Sequence, residues 1–305
     1  MINNMINKNK KVVLCGANGF TGRFLCKELL KRKISFLAII RPGNDTTWMK
    51  QNNISYKYVD LNNTKELGKQ IKDYEILISL ASIGFGSVPS ILKACKNANI
   101  NRAIFTSTTA IFTKLNSKSK KTRELAEKQI RKSNLDWTII RPTMIYGNPD
   151  DRNIIKLINW IDKYPIIPII GTGKFLQHPI FVEDLSKAIA NILSNKNTYK
   201  RSFNVSGEKP LTYNKMIRLI KNELKTSCIP IYFPYRISLI LFKIFERTKI
   251  KFPIKSEQIE RLNEDKYFNH SKAYNSFGFK PLGFEEVIRI EIKEYKSIKN
   301  NFYFK

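Results

Sequence analysis

A short hydrophobic run followed at once by three evenly spaced glycines constrains this chain more than any other feature. In Val12-Val13-Leu14-Cys15-Gly16-Ala17-Asn18-Gly19-Phe20-Thr21-Gly22-Arg23 the glycines stand at 16, 19 and 22. The run before them is a compact buried strand. After them Phe20, Phe24, Leu25, Leu29 and Leu30 recur at helical spacing and give one apolar face. Such a junction needs glycine for physical reasons. Gly16 permits the tight turn, Gly19 lets backbone N–H groups approach a pyrophosphate, and Gly22 lets helix and strand pack closely, with the positive end of the helix dipole facing the phosphates. A glycine triad alone is weak evidence. Between a strand and a helix at the start of an alternating pattern, it predicts a nucleotide site built from Gly16, Asn18, Gly19, Phe20, Gly22 and Arg23.

The pattern does alternate. Ser35–Ile40, Ser55–Val59, Ile76–Leu80, Ala103–Thr106 and Trp137–Ile140 read as further strands, and Pro89–Ala98 and Lys121–Ser133 as helices between them. Strands separated by helical segments imply βαβ crossovers, so the fold class is α/β: a doubly wound parallel sheet of the Rossmann type. The alternation loosens near Gly147. Residues 1–147 are therefore expected to be the dinucleotide-binding core, and residues 148–305 mainly a smaller C-terminal α+β substrate lobe with segments returning to the core sheet. Helices are expected at Asn153–Lys163, Val182–Leu193 and Tyr213–Leu224, with a strand at Ser202–Val205.

Charge raises a competing reading. With 54 Lys+Arg against 25 Asp+Glu the chain carries a formal +29, a surplus that invites polyanion binding. The cations are spread over almost every segment, however, and Lys far outnumbers Arg. That distribution reads as a solvated coat, and no specific nucleic-acid partner is expected. The exception is Ile237–Phe245, an apolar run bearing one Lys and flanked by Arg236, Arg247, Lys249 and Lys251. Residues 236–251 are the candidate for a peripheral membrane or protein contact, against the alternative of a helix packed on the substrate lobe. Cys15, Cys26, Cys95 and Cys228 form no C-x-x-C pair, and only His178 and His270 are available, so no metal site is expected. The uncharged run Ile76–Leu92 is broken by Gly84, Gly86 and Pro89 and reads as strand, loop and helix start. The polar N-terminus lacks the apolar core of a signal peptide, and a cytoplasmic location is the expectation.

Further motifs carry a family resemblance. The G-x-x-G-x-x-G spacing with Asn18 in the turn, Ala103–Phe112 (A-I-F-T-S-T-T-A-I-F), Leu135–Gly147 (L-D-W-T-I-I-R-P-T-M-I-Y-G), Phe181–Leu185 (F-V-E-D-L) and Phe203–Gly207 (F-N-V-S-G) together resemble the extended and atypical short-chain dehydrogenase/reductase superfamily, NAD(P)-dependent and epimerase/dehydratase-like. The resemblance spans roughly residues 11–225, with a weaker tail through Phe277–Pro281. It implies that Asp60 contacts the adenine and that Ala81 and Ser82 lie along the nicotinamide ribose. Thr108 takes the place of the Ser or Thr that fixes a substrate oxygen.

The choice of nicotinamide cofactor follows from charge. An NAD site places an acid at the end of the second strand, whereas an NADP site offers Arg to the extra phosphate. Here that strand ends Ala38-Ile39-Ile40-Arg41 with no acid, and Arg23 follows the third glycine. Two guanidinium groups can fork a phosphate, so NADP(H) is favoured over NAD(H).

The resemblance fails at the catalytic helix. Aligning Ala126-Glu127 with the family's "YxxxKxxAE" puts Ser119 at the Tyr position and Arg123 at the Lys position. A serine hydroxyl is a poor proton donor near neutrality and Arg does not titrate. Lys118, Lys120 or Lys121 are alternatives for the missing Lys, and Tyr146 for the missing Tyr. A second departure is Gln177, where many members carry an Arg that meets a nucleotide diphosphate. His178, Arg152 and Tyr146 are the substrate-side candidates; the bland alternative for His178 is a hydrogen-bonded structural role. Two functions follow. One is an NAD(P)-dependent oxidoreductase or epimerase/dehydratase acting on a hydroxyl or carbonyl of a small metabolite, a sugar derivative included. The other is a catalytically silent NADP(H)-binding sensor or accessory or assembly protein.

Overall fold

The structure is a computed structural model and describes residues 11–115, 118–247, 260–261 and 263–303. Its first half runs β1 (Val12–Cys15), α1 (Phe20–Lys31), β2 (Phe36–Ile40), α2 (Thr47–Gln51), β3 (Tyr56–Tyr58), α3 (Thr64–Gln70), β4 (Ile76–Ser79), α4 (Val88–Asn97), β5 (Arg102–Thr106), α5 (Lys118–Lys132) and β6 (Asp136–Pro142). There follow β7 (Ile145–Tyr146), α6 (Ile154–Lys163), β8 (Ile166–Ile170), β9 (Leu176–Gln177), β10 (Ile180–Phe181), α7 (Val182–Asn191), β11 (Arg201–Val205), β12 (Leu211–Thr212), α8 (Tyr213–Leu224), β13 (Ile229–Phe233) and α9 (Tyr235–Arg247). Two more helices, Ser271–Phe277 and Phe284–Tyr303, close the chain. Residues 248–251 of the candidate contact segment lie outside the described residues.

Seven strands form one parallel sheet in the order β11-β6-β5-β4-β1-β2-β3. The chain winds outward from β1 through β2 and β3, then restarts on the other side with β4, β5 and β6. The strand order therefore reverses between β1 and β4, which opens a crevice beyond their carboxyl ends. Register fixes what lines that crevice: Cys15 pairs with Ile39 on one side and Ser79 on the other, so the residues after Cys15 and Ser79 face each other. All four residues of β1 are fully buried, as a strand covered by helices on both faces requires.

The two faces of the sheet carry separate apolar cores. One packs α1 and α7 against Leu14, Ala38 and Ile78, and the other packs α3, α4 and α5 against Val13, Leu77 and Phe105. A third core belongs to the C-terminal elements: α6 contributes Ile154, Ile155, Ile158 and Ile161, and α8 contributes Met216, Ile217 and Ile220. Phe20 and Phe24 of α1 pack against this third core, tying it to the nucleotide-binding turn.

A buried cation staples the sheet edge. Arg102 donates to the carbonyls of Leu193, Asp136 and Ile192 and to the hydroxyl of Thr138, and it stacks on Tyr199. The four cysteines are all buried thiols, and burial pushes Cys26 and Cys95 up to about 12, so they stay protonated.

The run Ile76–Leu92 resolves into β4, a short turn at Ile83–Phe85 and the start of α4. Among the described residues no helix is long and apolar enough to cross a membrane. The Pro-containing stretch after Tyr164 is β8, paired in parallel with β13. Both strands carry a proline, Pro168 and Pro230, which a two-stranded sheet tolerates because each strand has an edge free of ladder bonds.

Candidate cofactor site

The turn between β1 and α1 is held by close backbone approach. Gly16 has φ +85°, and a Cβ there would lie 3.1 Å from the amide nitrogen of Ala81, where β4 leaves the sheet. At Gly22 a Cβ would run into the carbonyl oxygens of Gly16 and Ala17 and come within 2.6 Å of the Ala17 carbonyl carbon. Every atom it meets is backbone of the same turn. Gly19 caps α1 in an extended conformation and its N–H donates to Gly16 O at 3.2 Å, so the first-turn amides of α1 point into the crevice. That arrangement suits a pyrophosphate: a cradle without side chains, at the positive end of a twelve-residue helix.

The adenosine side is shaped by Asn18 and Arg23. Arg23 donates from Nε (3.3 Å) and Nη2 (3.2 Å) to Asn18 Oδ1, and its guanidinium lies 5.6 Å from the Trp48 ring centre. Asn18 Nδ2 in turn donates to the Asp45 carbonyl. Arg41 is exposed at the end of β2. Asp45 stands nearby, but its carboxylate accepts from the Thr47 N–H and hydroxyl, bonds that hold its pKa low and turn it toward α2. Asp60 is exposed beyond β3, and its carboxylate accepts from the Asn62 N–H at 2.9 Å.

At the other end of the crevice lies a cavity of about 240 Å³. Ser82 and Ile83 after β4, Thr106, Ser107 and Thr108 at the end of β5, Arg123 from α5, and Pro142, Thr143 and Ile145 after β6 all line it, with Thr21 from the first turn of α1. Ser82 Oγ accepts from the Gly84 N–H, and Thr108 Oγ1 from the Ala110 N–H at 3.2 Å, so each hydroxyl shapes its own loop. Thr106 Oγ1 and Thr143 Oγ1 are buried without a partner among the described residues. Orphaned hydroxyls in a polar cavity are suited to a ligand with amide and hydroxyl groups, such as the nicotinamide riboside half of a dinucleotide.

The structure brings Ser119 and Arg123 together on α5. Arg123 Nη1 donates to Ser119 Oγ at 3.2 Å, and the Arg123 side chain runs over Gly84 into the cavity. Lys120 is engaged elsewhere, with Nζ donating to the Thr113 carbonyl at 2.7 Å, and Lys121 is exposed. Behind this helix Glu127 is almost fully buried and accepts from Arg141 Nε at 2.8 Å and Nη2 at 2.5 Å, as well as from Arg131. Burial alone would raise the Glu127 pKa; the paired Arg141 outweighs it and holds the carboxyl below its usual range.

The substrate-side candidates are not brought to the cavity. Tyr146 is fully buried in the third core with its ring 5.2 Å from Phe284, and burial raises its pKa well above the usual value, so it is a packing residue rather than a proton donor. Arg152 is exposed beside Asp151, whose carboxylate caps the amides of Ile154 and Ile155 at the start of α6.

His178 is also structural. It is 3% exposed, Nε2 donates to Gly207 O at 2.8 Å, and Nδ1 accepts from the Phe268 N–H. Burial pulls its pKa from 6.5 to about 4. The folded form thus binds fewer protons than the unfolded one between those values. Stability supplied by His178 is complete above pH 6.5 and is lost as pH falls toward 4, by up to about 3 kcal/mol. Urea unfolding followed through that range should show this loss, and His178→Gln should flatten it.

Two further groups of residues shape the site. Thr21, Thr106, Ser107 and Thr143 line the cavity, and each lies inside a sequence motif that does not single it out. The stretch 263–268 straps the lobe to the core: Glu264 accepts from the Thr113 hydroxyl (2.7 Å) and the Lys114 N–H (2.9 Å), and Lys266 N–H donates to the Leu176 carbonyl. Lys266 Nζ donates to Gln177 Oε1 at 3.1 Å, and burial lowers its pKa to about 8. A cation therefore does stand beside Gln177.

A family model described as NAD(P)H-binding matches residues 16–159, which begins at the glycine turn and takes in the whole cavity. Over those residues the chain carries an NAD(P)H-binding domain. The chain is similar to UDP-glucose 4-epimerase of Thermotoga maritima in fold, with a TM-score of 0.76 and 14% identity over 94% of this chain and 99% of that one. Among curated proteins it is 24% identical over 184 residues to the mitochondrial NADH dehydrogenase (ubiquinone) 1 alpha subcomplex subunit 9 of Rattus norvegicus, covering 59% of this chain and 48% of that protein. The chain thus spans about half the length of that relative. It is 20% identical to the decarboxylating sterol-4-alpha-carboxylate 3-dehydrogenase of Mus musculus, over 98% of this chain and 95% of the relative. The cofactor class that the site fits is a nicotinamide dinucleotide.

Proposed function

We propose that this protein is an extended short-chain dehydrogenase/reductase superfamily member that holds NADP(H) without operating a Tyr–Lys proton relay, and serves as a redox sensor or as an accessory or assembly subunit. The observation that carries this reading is the hydrogen-bonded pair Ser119–Arg123 at the place of the relay. A bound nicotinamide supplies hydride chemistry; the protein must supply the proton. Among the described residues Arg123 is the one ionisable side chain lining the cavity, and a guanidinium does not release its proton. Ser119 has no tuned phenol's acidity. What these residues do is bind and orient: the α1 amides hold the pyrophosphate, Arg123 and Thr108 fix the nicotinamide end, and Ile83 and Ile145 exclude water from it.

A second reading has one observation in its favour. The orphaned hydroxyls of Thr106 and Thr143 stand in the same cavity as Thr108, and donors so placed suit a substrate oxygen as well as a carboxamide. Under it the protein is an oxidoreductase or epimerase/dehydratase on a hydroxyl or carbonyl of a small metabolite, with Thr108 fixing the reacting oxygen. Turnover of NADPH against carbonyl compounds that Thr108→Ala abolishes would establish this reading over the first.

The preference for NADP(H) rests on Arg41 and Arg23. Arg23 is pre-positioned by Asn18 and Trp48, and Arg41 presents an exposed guanidinium at the end of β2. Hydrogen bonds to charged groups contribute about 1.5–3 kcal/mol, so Arg41→Ala should weaken NADPH binding about 10- to 100-fold and leave NADH binding unchanged. Cofactor fluorescence titration reads both. Equal losses for the two cofactors would remove Arg41 from phosphate recognition.

A further inference from the structure

The C-terminal elements expose an apolar surface that the cofactor site does not use. Helix α9 turns Ser238 and the partly covered Tyr235, Leu239 and Phe242 toward the protein. Its opposite face carries Ile237, Ile240, Leu241 and Ile244, at i, i+3, i+4 and i+7, each between 48% and 59% exposed. Immediately before it, alternate residues of β13, Ile229, Ile231 and Phe233, are also exposed, and Ile229 pairs with the exposed Ile166 of β8. A run of large aliphatic side chains at helical spacing costs solubility unless something covers it.

Charge says what the cover is. Arg236 and Lys243, seven residues apart, border the aliphatic stripe on one side, and Lys243 meets Glu260 at 3.3 Å. On its other face β13 helps line a cavity of about 390 Å³, where Pro230 and Tyr232 meet three cations of α8: Lys215, Arg218 and Lys221. Among the described residues none of these three, nor Arg236, is paired with a carboxylate. A second copy of the chain would bring like charges together at a net +29. A nucleic acid has no use for four exposed aliphatics. A surface that is anionic outside and apolar beneath satisfies both features.

We infer that this face docks on an anionic lipid bilayer: α9 lies in the interface with Ile237, Ile240, Leu241 and Ile244 in the acyl boundary, while Arg236 at the edge of the stripe takes headgroup phosphate. The inference is independent of whether the cofactor site turns over.

The test is co-flotation of the full chain with vesicles of phosphatidylcholine alone and of phosphatidylcholine mixed with phosphatidylglycerol. The expected result is flotation with the anionic vesicles only, weakening as salt rises. Each basic residue at an anionic surface contributes about fivefold in partition, so Arg236→Ala should reduce it about fivefold. Ile240→Glu with Leu241→Glu should reduce it by at least about tenfold through lost apolar burial. Both variants change exposed side chains and should keep the wild-type unfolding temperature and NADPH fluorescence change. No flotation at low salt, equal flotation with neutral vesicles, or partition unmoved by either variant would overturn the inference. So would a salt-stable dimer in solution that Ile240→Glu disperses, because the stripe would then be a self-contact.

Discussion

Gly22→Ala is expected to weaken NADPH binding more than about 100-fold, through loss of hydrogen bonds to charged phosphate that contribute about 1.5–3 kcal/mol each. It should also lower the unfolding free energy by about 1–3 kcal/mol, the usual range for overpacking. A methyl there would occupy the space of the Gly16 and Ala17 carbonyl oxygens, and none of the atoms it meets is the flexible end of a side chain. Either α1 moves away from β1 or the turn opens; both displace the amides that meet the pyrophosphate. Gly68→Ala is the matched control. It lies inside α3, its nearest neighbours stand at 3.7 Å, and the exchange should be neutral or stabilising, by up to about 1 kcal/mol. Denaturant unfolding and cofactor titration on the two variants separate a local effect on the cradle from a general intolerance of the domain. Equal NADPH affinity in wild type and Gly22→Ala would mean that the pyrophosphate does not rest on this turn.

Glu127→Ala should cost about 3–5 kcal/mol, the range for removing one partner of a buried ion pair. Arg141, held by the Glu127 fork, lies between α5 and the ring of Phe112 at 5.2 Å, so the loss leaves a guanidinium uncompensated in the wall behind the cavity. Glu127→Gln keeps the shape and one acceptor and should cost less. The pH dependence has a definite sign. Because the folded Glu127 pKa is lowered, its contribution is present above the unfolded value of 4.5 and is lost as pH falls through the folded value. Glu127→Ala should therefore flatten the acid limb of the stability profile as well as lower the plateau.

Local chemistry explains which parts of this site could be read in advance. Gly16 and Gly22 announce the cradle because no other residue fits so close an approach of backbone to backbone. The register that sets Ser119 and Arg123 on α5 was anchored by Ala126-Glu127, and the structure gives the reason: Ala126 packs into the core below β5, and Glu127 is committed to Arg141. Both constraints lie within a few residues of the motif.

Long-range pairing decides the rest. Tyr146 sits in a two-residue strand, where nothing local says whether its ring turns to the cavity, as its neighbour Ile145 does, or to the core. His178 takes its character from Gly207 and Phe268, which are 29 and 90 residues away. Thr143 follows Arg141-Pro142 in a motif that does not say which way its hydroxyl turns, and becomes a cavity residue because its N–H is bound to Val205 at the edge of the sheet. The strap at 263–268 is legible only once Glu264 is seen to reach Thr113, 151 residues earlier.

The most direct measurement is a crystal structure of the wild-type protein with NADPH bound. The pyrophosphate should lie on the first-turn amides of α1, the 2′-phosphate beside Arg41 and Arg23, and the nicotinamide in the cavity with Thr108 and Arg123 as its hydrogen-bonding side chains. A Tyr or Lys side chain within hydrogen-bond reach of the nicotinamide ribose, or a dinucleotide seated away from the Gly16–Gly22 turn, would contradict a cofactor site without a proton relay.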